Sequence, residues 1–236
     1  MPAIRNSAAR RGSELAKQGG AVKVWDLPVR LFHWSLAVLV AFSWWSGTRG
    51  DHWLPLHERS GYAIFTLLLF RVLWGIAGSD SARFAGFVRS PRIALAYLRS
   101  IAARRPPHYL GHNPLGGWMV LALLASLFVQ GATGLFATDD VAFSGPLAHD
   151  VREHTRELVT ALHKLNFDLL LGLVALHVVA VLAHTALRRD GLLAAMFTGH
   201  KPAPSGAPAL RFASPARAAL LLALAALLVW GIARLG

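Results

Sequence analysis

Five stretches of the chain are nearly free of charge: residues 31–47, 60–78, 118–137, 165–187 and 217–234. Each comes close to the roughly 20 apolar residues that carry a helix across a bilayer. The first is short, and Trp44 and Trp45 at its end supply the aromatic anchors expected at a membrane interface. No small-residue cleavage site follows it, so the pattern predicts an uncleaved first helix rather than a removed leader. The fifth stretch is almost pure Ala and Leu until Arg234, which predicts an accessory helix without chemistry of its own.

The polar segments between these runs differ in sign. Arg5, Arg10, Arg11, Lys17, Lys23 and Arg30 precede the first run. Residues 79–117 hold Arg83, Arg89, Arg92, Arg99, Arg104 and Arg105 against Asp80 alone, and Arg188, Arg189, Lys201, Arg211 and Arg217 follow the fourth run. Residues 48–59 are balanced, and residues 138–164 carry Asp139, Asp140, Asp150, Glu153 and Glu157 against three bases. Basic loops stay in the cytoplasm. The expected order is therefore a cytoplasmic tail over 1–29, a four-helix unit over 30–190, a cytoplasmic Pro/Ala/Gly linker over 191–216 and an accessory transmembrane helix over 217–236, which puts the C-terminus in the periplasm.

Composition agrees. Of 236 residues, 55% are hydrophobic and 15% charged, and mean hydropathy is +0.46, whereas soluble domains carry about 25% charge. The net charge of +12 is explained by topology and gives no reason to invoke nucleic acid. With no cysteine, disulfides, thiolate metal sites, iron–sulfur clusters and thioether-linked haem are excluded for this chain.

Four of the eleven histidines lie in or at the ends of the apolar runs: His33, His57, His163 and His177. Residues His163 and His177 are fourteen positions apart, about 21 Å of helix rise and nearly four whole turns, so both project from one face. The topology puts His33 level with His177, and His57 level with His163. Two pairs of neutral imidazoles on facing helices suit a low-spin haem, whose apolar body suits a bilayer, whereas a bare zinc ion needs further ligands close by. Polar groups inside spans are rare and usually functional. His184, seven residues after His177, is expected at the cytoplasmic interface. Gly117 and Gly131 are also fourteen apart; they read either as a cradle for a flat macrocycle or as an ordinary helix contact.

The segments VWDLPVRLFHW (24–34), LHERSGYAIFTLLLFRVLWGIAGSDSARFAGFV (56–88), GHNPLGGWMVLALL (111–124), GLFATDD (134–140) and LHKLNFDLLLGLVALHV (162–178) resemble, in order, the bacterial cytochrome b561 family, which includes the cytochrome b subunits of nickel–iron hydrogenases. The resemblance covers about residues 22–200. It implies an all-α integral membrane protein: a four-helix bundle in the inner membrane holding two b-type haems, with electrons passing between quinone and a partner. It also implies the pairs His33 with His177 and His57 with His163 as axial ligands of the haem irons. The partner it implies is a periplasmic cytochrome c, or alternatively a periplasmic hydrogenase; a homodimer stays open. Lys164 and Asp168 depart from the family's usual Glu and Asn. Asp168 reads as a proton acceptor or, preferentially, as the partner of Lys164 four residues earlier.

Arg71 lies within the second span, where a guanidinium must pair or snorkel, and a haem propionate is one candidate partner. Arg30, just before the first span, has the same two readings, with interface anchoring favoured. His112 and Asn113 could meet a propionate or quinone, or simply start a helix. No nucleophile–base pair emerges, so the chain reads as a redox subunit rather than a complete enzyme. Two further classes stay in play: a histidine-lined metal-ion transporter, and a membrane anchor indifferent to its histidines.

Overall fold

The computed structural model describes residues 20–103, 107, 109–138, 143–188, 191–202 and 209–234. In chain order its helices are α1 (Leu27–Gly47), α2 (Leu54–Ala77), α3 (Phe84–Phe87), α4 (Pro91–Ala102), α5 (Pro114–Gly134), α6 (Glu153–Arg188), α7 (Leu192–Thr198) and α8 (Pro215–Ala233). Five of these, α1, α2, α5, α6 and α8, are long and apolar enough to cross a membrane. Two short strands, β1 (Ala21–Lys23) and β2 (His200–Pro202), pair antiparallel.

Most spans begin earlier than their apolar runs because their starts are set by caps rather than by hydropathy. Asp26 accepts from the Val29 amide at 2.8 Å and Asn113 from the Gly116 amide at 2.8 Å, while Ser214 accepts from the Arg217 amide at 3.3 Å. Each is followed by proline in the first turn, where its missing N–H costs nothing. The 36 residues of α6 amount to about 54 Å. That exceeds a hydrocarbon layer of about 30 Å, and the excess is the polar segment 153–164 ahead of the apolar run.

The most buried span is α2, which packs against α1 on one side, α5 on another and α8 on a third, while α6 packs on α5. One core gathers Trp25, Phe32, Phe70, Trp74 and Ala225; the other gathers Phe65, Leu68, Leu127, Leu170 and Val229. Spans α1 and α6 leave most of their surface uncovered. They approach one another through ring pairs at two heights, His33 with His177 and Trp44 with Phe167, each 6.4 Å between centroids.

Residues 191–216, expected as a linker, carry α7 and β2 and are fastened to the bundle. The Asp80 amide donates to the Arg211 carbonyl at 3.0 Å, the Arg211 amide to the Asp80 carboxylate at 2.9 Å, and the Ala213 amide to Ser79 Oγ at 3.0 Å. Of the expected N-terminal tail, residues 1–19 lie outside the described residues and 21–23 form β1. Asp139 and Asp140 of the acidic loop likewise lie outside.

Candidate functional site

Histidines from three spans meet at two heights. His57 on α2 and His163 on α6 have ring centroids 6.2 Å apart, and His33 on α1 and His177 on α6 have centroids 6.4 Å apart. Imidazole nitrogens sit about 2.0–2.1 Å from a metal they ligate, so two rings on opposite sides of one ion have centroids about 6.3 Å apart. Both pairs fit a single ion each. Among the described residues no group of three or more His, Asp or Glu could hold a bare metal ion, which suits a metal that brings its own equatorial ligands.

The rings are pre-oriented. The His57 Nδ1–H donates to the Ser43 carbonyl at 2.8 Å, which leaves the Nε2 lone pair available to a metal. Asn166 Nδ2 donates to Gln130 Oε1 at 2.6 Å, so the Gln130 amide nitrogen donates to His163 Nε2 at 3.0 Å. Consequently His163 Nδ1 carries the proton and donates to Thr133 Oγ1 at 3.0 Å, and that hydroxyl donates to the Val129 carbonyl at 2.7 Å. These assignments follow from the network. Glycines seat both rings: a Cβ on Gly47 would lie 2.7 Å from His57 Nδ1, and one on Gly134 would lie 3.2 Å from His163 Cε1.

Beside this pair is an open cleft with a cavity volume of about 120 Å³, lined mainly by apolar side chains such as Val40, Trp44, Phe65 and Leu170. Gly61, one turn after His57, faces it with nothing within 4 Å of where a Cβ would stand. Of Gly117 and Gly131, the two glycines spaced fourteen apart, Gly131 lines this cleft. Added Cβ atoms would meet the Phe87 carbonyl at 2.9 Å and the Phe65 ring at 2.6 Å, so the close approach at these glycines is made by protein.

At the other height, three buried nitrogens have no hydrogen-bond partner among the described residues: His33 Nδ1, Arg71 Nη1 and His112 Nδ1. Arg71 is 3% exposed and lies over the Phe84 ring at 4.8 Å. His112 stands between Trp25 and Phe87, with centroids at 4.6 and 4.5 Å. Burial pushes its pKa down to about 3, with the positive charges of Arg71 and Lys201 adding to the effect, so His112 is neutral near pH 7. Orphaned buried donors are costly. Their convergence fits an acidic group of an occupant. Arg30 is engaged elsewhere, donating to the Phe197 and Met196 carbonyls at the end of α7.

Lys164 and Asp168 are both exposed and form no ion pair among the described residues, contrary to the expected pairing. Both point away from the bundle, where an exposed i,i+4 pair gains too little to fix two side chains. Sequence reading missed Ser43, Gln130, Thr133 and Asn166. Gln130, a lone amide in an apolar run, carried the signal.

Residues 24–199 match the family described as prokaryotic cytochrome b561. Similar curated proteins are each named a probable Ni/Fe-hydrogenase B-type cytochrome subunit. One from Rhizobium leguminosarum is 23% identical over 82% of this chain and 94% of its own length, one from Azotobacter vinelandii 28% over 59% and 66%, and one from Bradyrhizobium diazoefficiens 23% over 85% and 94%. No solved structure matches.

Proposed function

The chain belongs to the prokaryotic cytochrome b561 family, and from that premise we propose that this multi-pass membrane b-type cytochrome holds two haems and relays electrons across the inner membrane between a quinone and a partner protein. The observation that carries the reading is the pair of histidine pairs, 6.2 and 6.4 Å between centroids, at two heights of one bundle. His57 and His163 would hold one haem, and His33 and His177 the other. When bound, each haem supplies a one-electron couple at its iron, with the potential set by ligands, hydrogen bonds and burial.

The protein's own residues do the rest. The Ser43 carbonyl and the Thr133 hydroxyl hold the imidazole tautomers with the proton on Nδ1, which would leave Nε2 for a metal and increase its basicity. The Gln130 amide guards the His163 lone pair until it is displaced. Arg71 and His112, whose Nη1 and Nδ1 have no hydrogen-bond partner among the described residues, would receive the acidic groups of the haem at the His33 level. The apolar cleft keeps water from the pair at the His57 level. In this proposal the four-helix unit spans about residues 30–190, the N-terminus is cytoplasmic and the C-terminus periplasmic.

For the electron partner, the names of the relatives favour a nickel–iron hydrogenase over a periplasmic cytochrome c. Reduced-minus-oxidised spectra with haem quantitation on the purified protein test the relay. Two b-type haems per chain are expected, with His33→Ala and His177→Ala losing one and the same haem, and His57→Ala and His163→Ala the other. A colourless protein, or a single haem lost from all four variants, sinks it. Haem reduction by hydrogen in membranes that contain the hydrogenase, and its absence without the enzyme, identifies the partner.

A further inference from the structure

We propose that α4 lies in the headgroup layer of the membrane and binds the phosphates of anionic phospholipids. The helix is amphipathic in an unusual arrangement. Its buried side chains, Ala94 and Tyr97, face the bundle, with α4 packed against α5. That leaves Leu95 and Leu98 48% and 49% exposed, about 60° apart on one flank. Next to them, about 40° beyond Leu95, stand Arg92 and Arg99, two turns apart and within about 20° of one another. Both arginines are exposed, and neither makes an ion pair among the described residues. Asp80, the one acid between α2 and α5, is occupied by Arg83 and the Arg211 amide.

Depth is fixed independently. Trp118, in the second turn of α5 and 39% exposed, donates its indole N–H to the Arg89 carbonyl at 3.0 Å, two residues before α4 begins. An indole with one face in apolar surroundings and its N–H satisfied by a polar group belongs at the membrane interface. It therefore ties the start of α4 to headgroup depth. With the helix held there, Leu95 and Leu98 enter the acyl boundary and Arg92 and Arg99 meet phosphate, the arrangement of interfacial amphipathic helices. A guanidinium binds phosphate in bidentate fashion. The occupant is a lipid because apolar flank and cationic edge adjoin on one short helix already at the interface.

The chain has no cysteine, so single-cysteine labelling needs no background substitutions. Full-length protein carrying an environment-sensitive fluorophore at Leu95→Cys, Leu98→Cys or Ala96→Cys is placed in nanodiscs with brominated acyl chains. Quenching at 95 and 98, and none at the exposed position 96, is expected. Labels at 95 and 98 that are as wet as the label at 96 overturn the proposal. Labels there that are dry but unquenched also overturn it, since protein then covers the flank. In parallel, native mass spectrometry compares retention of phosphatidylglycerol and phosphatidylcholine. Each basic residue near an anionic surface contributes about fivefold in affinity, so Arg92→Gln with Arg99→Gln is expected to weaken phosphatidylglycerol retention about 30-fold and leave phosphatidylcholine unchanged. Equal retention of both lipids by the unsubstituted protein, or an unaltered preference in the double variant, overturns the assignment. The haem spectrum reports that the variant is folded.

Discussion

At the residue scale, the glycines beside the histidines matter more than their size suggests. Gly47→Ala forces its methyl into the His57 ring, which has no room to retreat while Nδ1 holds the Ser43 carbonyl. The expected outcome is loss of the haem at the His57 level, read by haem quantitation, whereas Gly61→Ala, with nothing within 4 Å, leaves the count unchanged. Asp26 is 3% exposed and has two duties, capping α1 and accepting from Trp74 Nε1 at 3.0 Å. Asp26→Ala should cost about 1–3 kcal/mol, the desolvation penalty of leaving a buried donor unpaired, checked by thermal unfolding in detergent. In the haem-free protein, His112 gives a pH signature. Its folded pKa, about 3, lies below the ordinary value of 6.5, so between these values the unfolded chain binds the extra proton and stability falls as pH falls. Full stability holds above about pH 6.5. His112→Phe is expected to flatten the acid limb of a stability–pH profile, and an unchanged limb would assign the loss to other groups.

At the scale of elements, the spans were legible from hydropathy, but three of their starts were set by caps. D-L-P, N-P and S-P each announce a helix start, and reading the apolar run instead of the cap placed α1 and α5 four residues late and α8 two. Both histidine pairs were legible too, since fourteen residues on one helix dictate two heights on one face. What was hidden depends on contacts between distant segments. No local signal says that Asp80 will hold Arg211, that β1 will find β2, or that Phe65 will fill the space left at Gly131. The fifth helix looked bland for the same reason: Ala218 and Ala225 are small because α2 approaches closely there. Ala225, 0% exposed, is the sharpest point of that contact. Ala225→Leu should overpack it by about 1–3 kcal/mol and lower the Tm without changing the haem content, since α8 carries no histidine.

At the scale of the whole molecule, the proposed topology of five spans puts the chain's ends on opposite sides of the membrane. A reporter enzyme active only outside the cytoplasm, fused after residue 234, is expected to be active, and a cytoplasmic fluorescent reporter at the same place dark. The reverse result would invert the sidedness read from the basic loops. Helix α6 adds a consequence for encounter. Its polar segment 153–164, which ends with His163 and Lys164, extends about 18 Å ahead of the apolar run. That segment stands like a breakwater at one side of the His57 and His163 pair. Under the proposed function, a partner that docks over this pair would meet that helical post before it meets the pair.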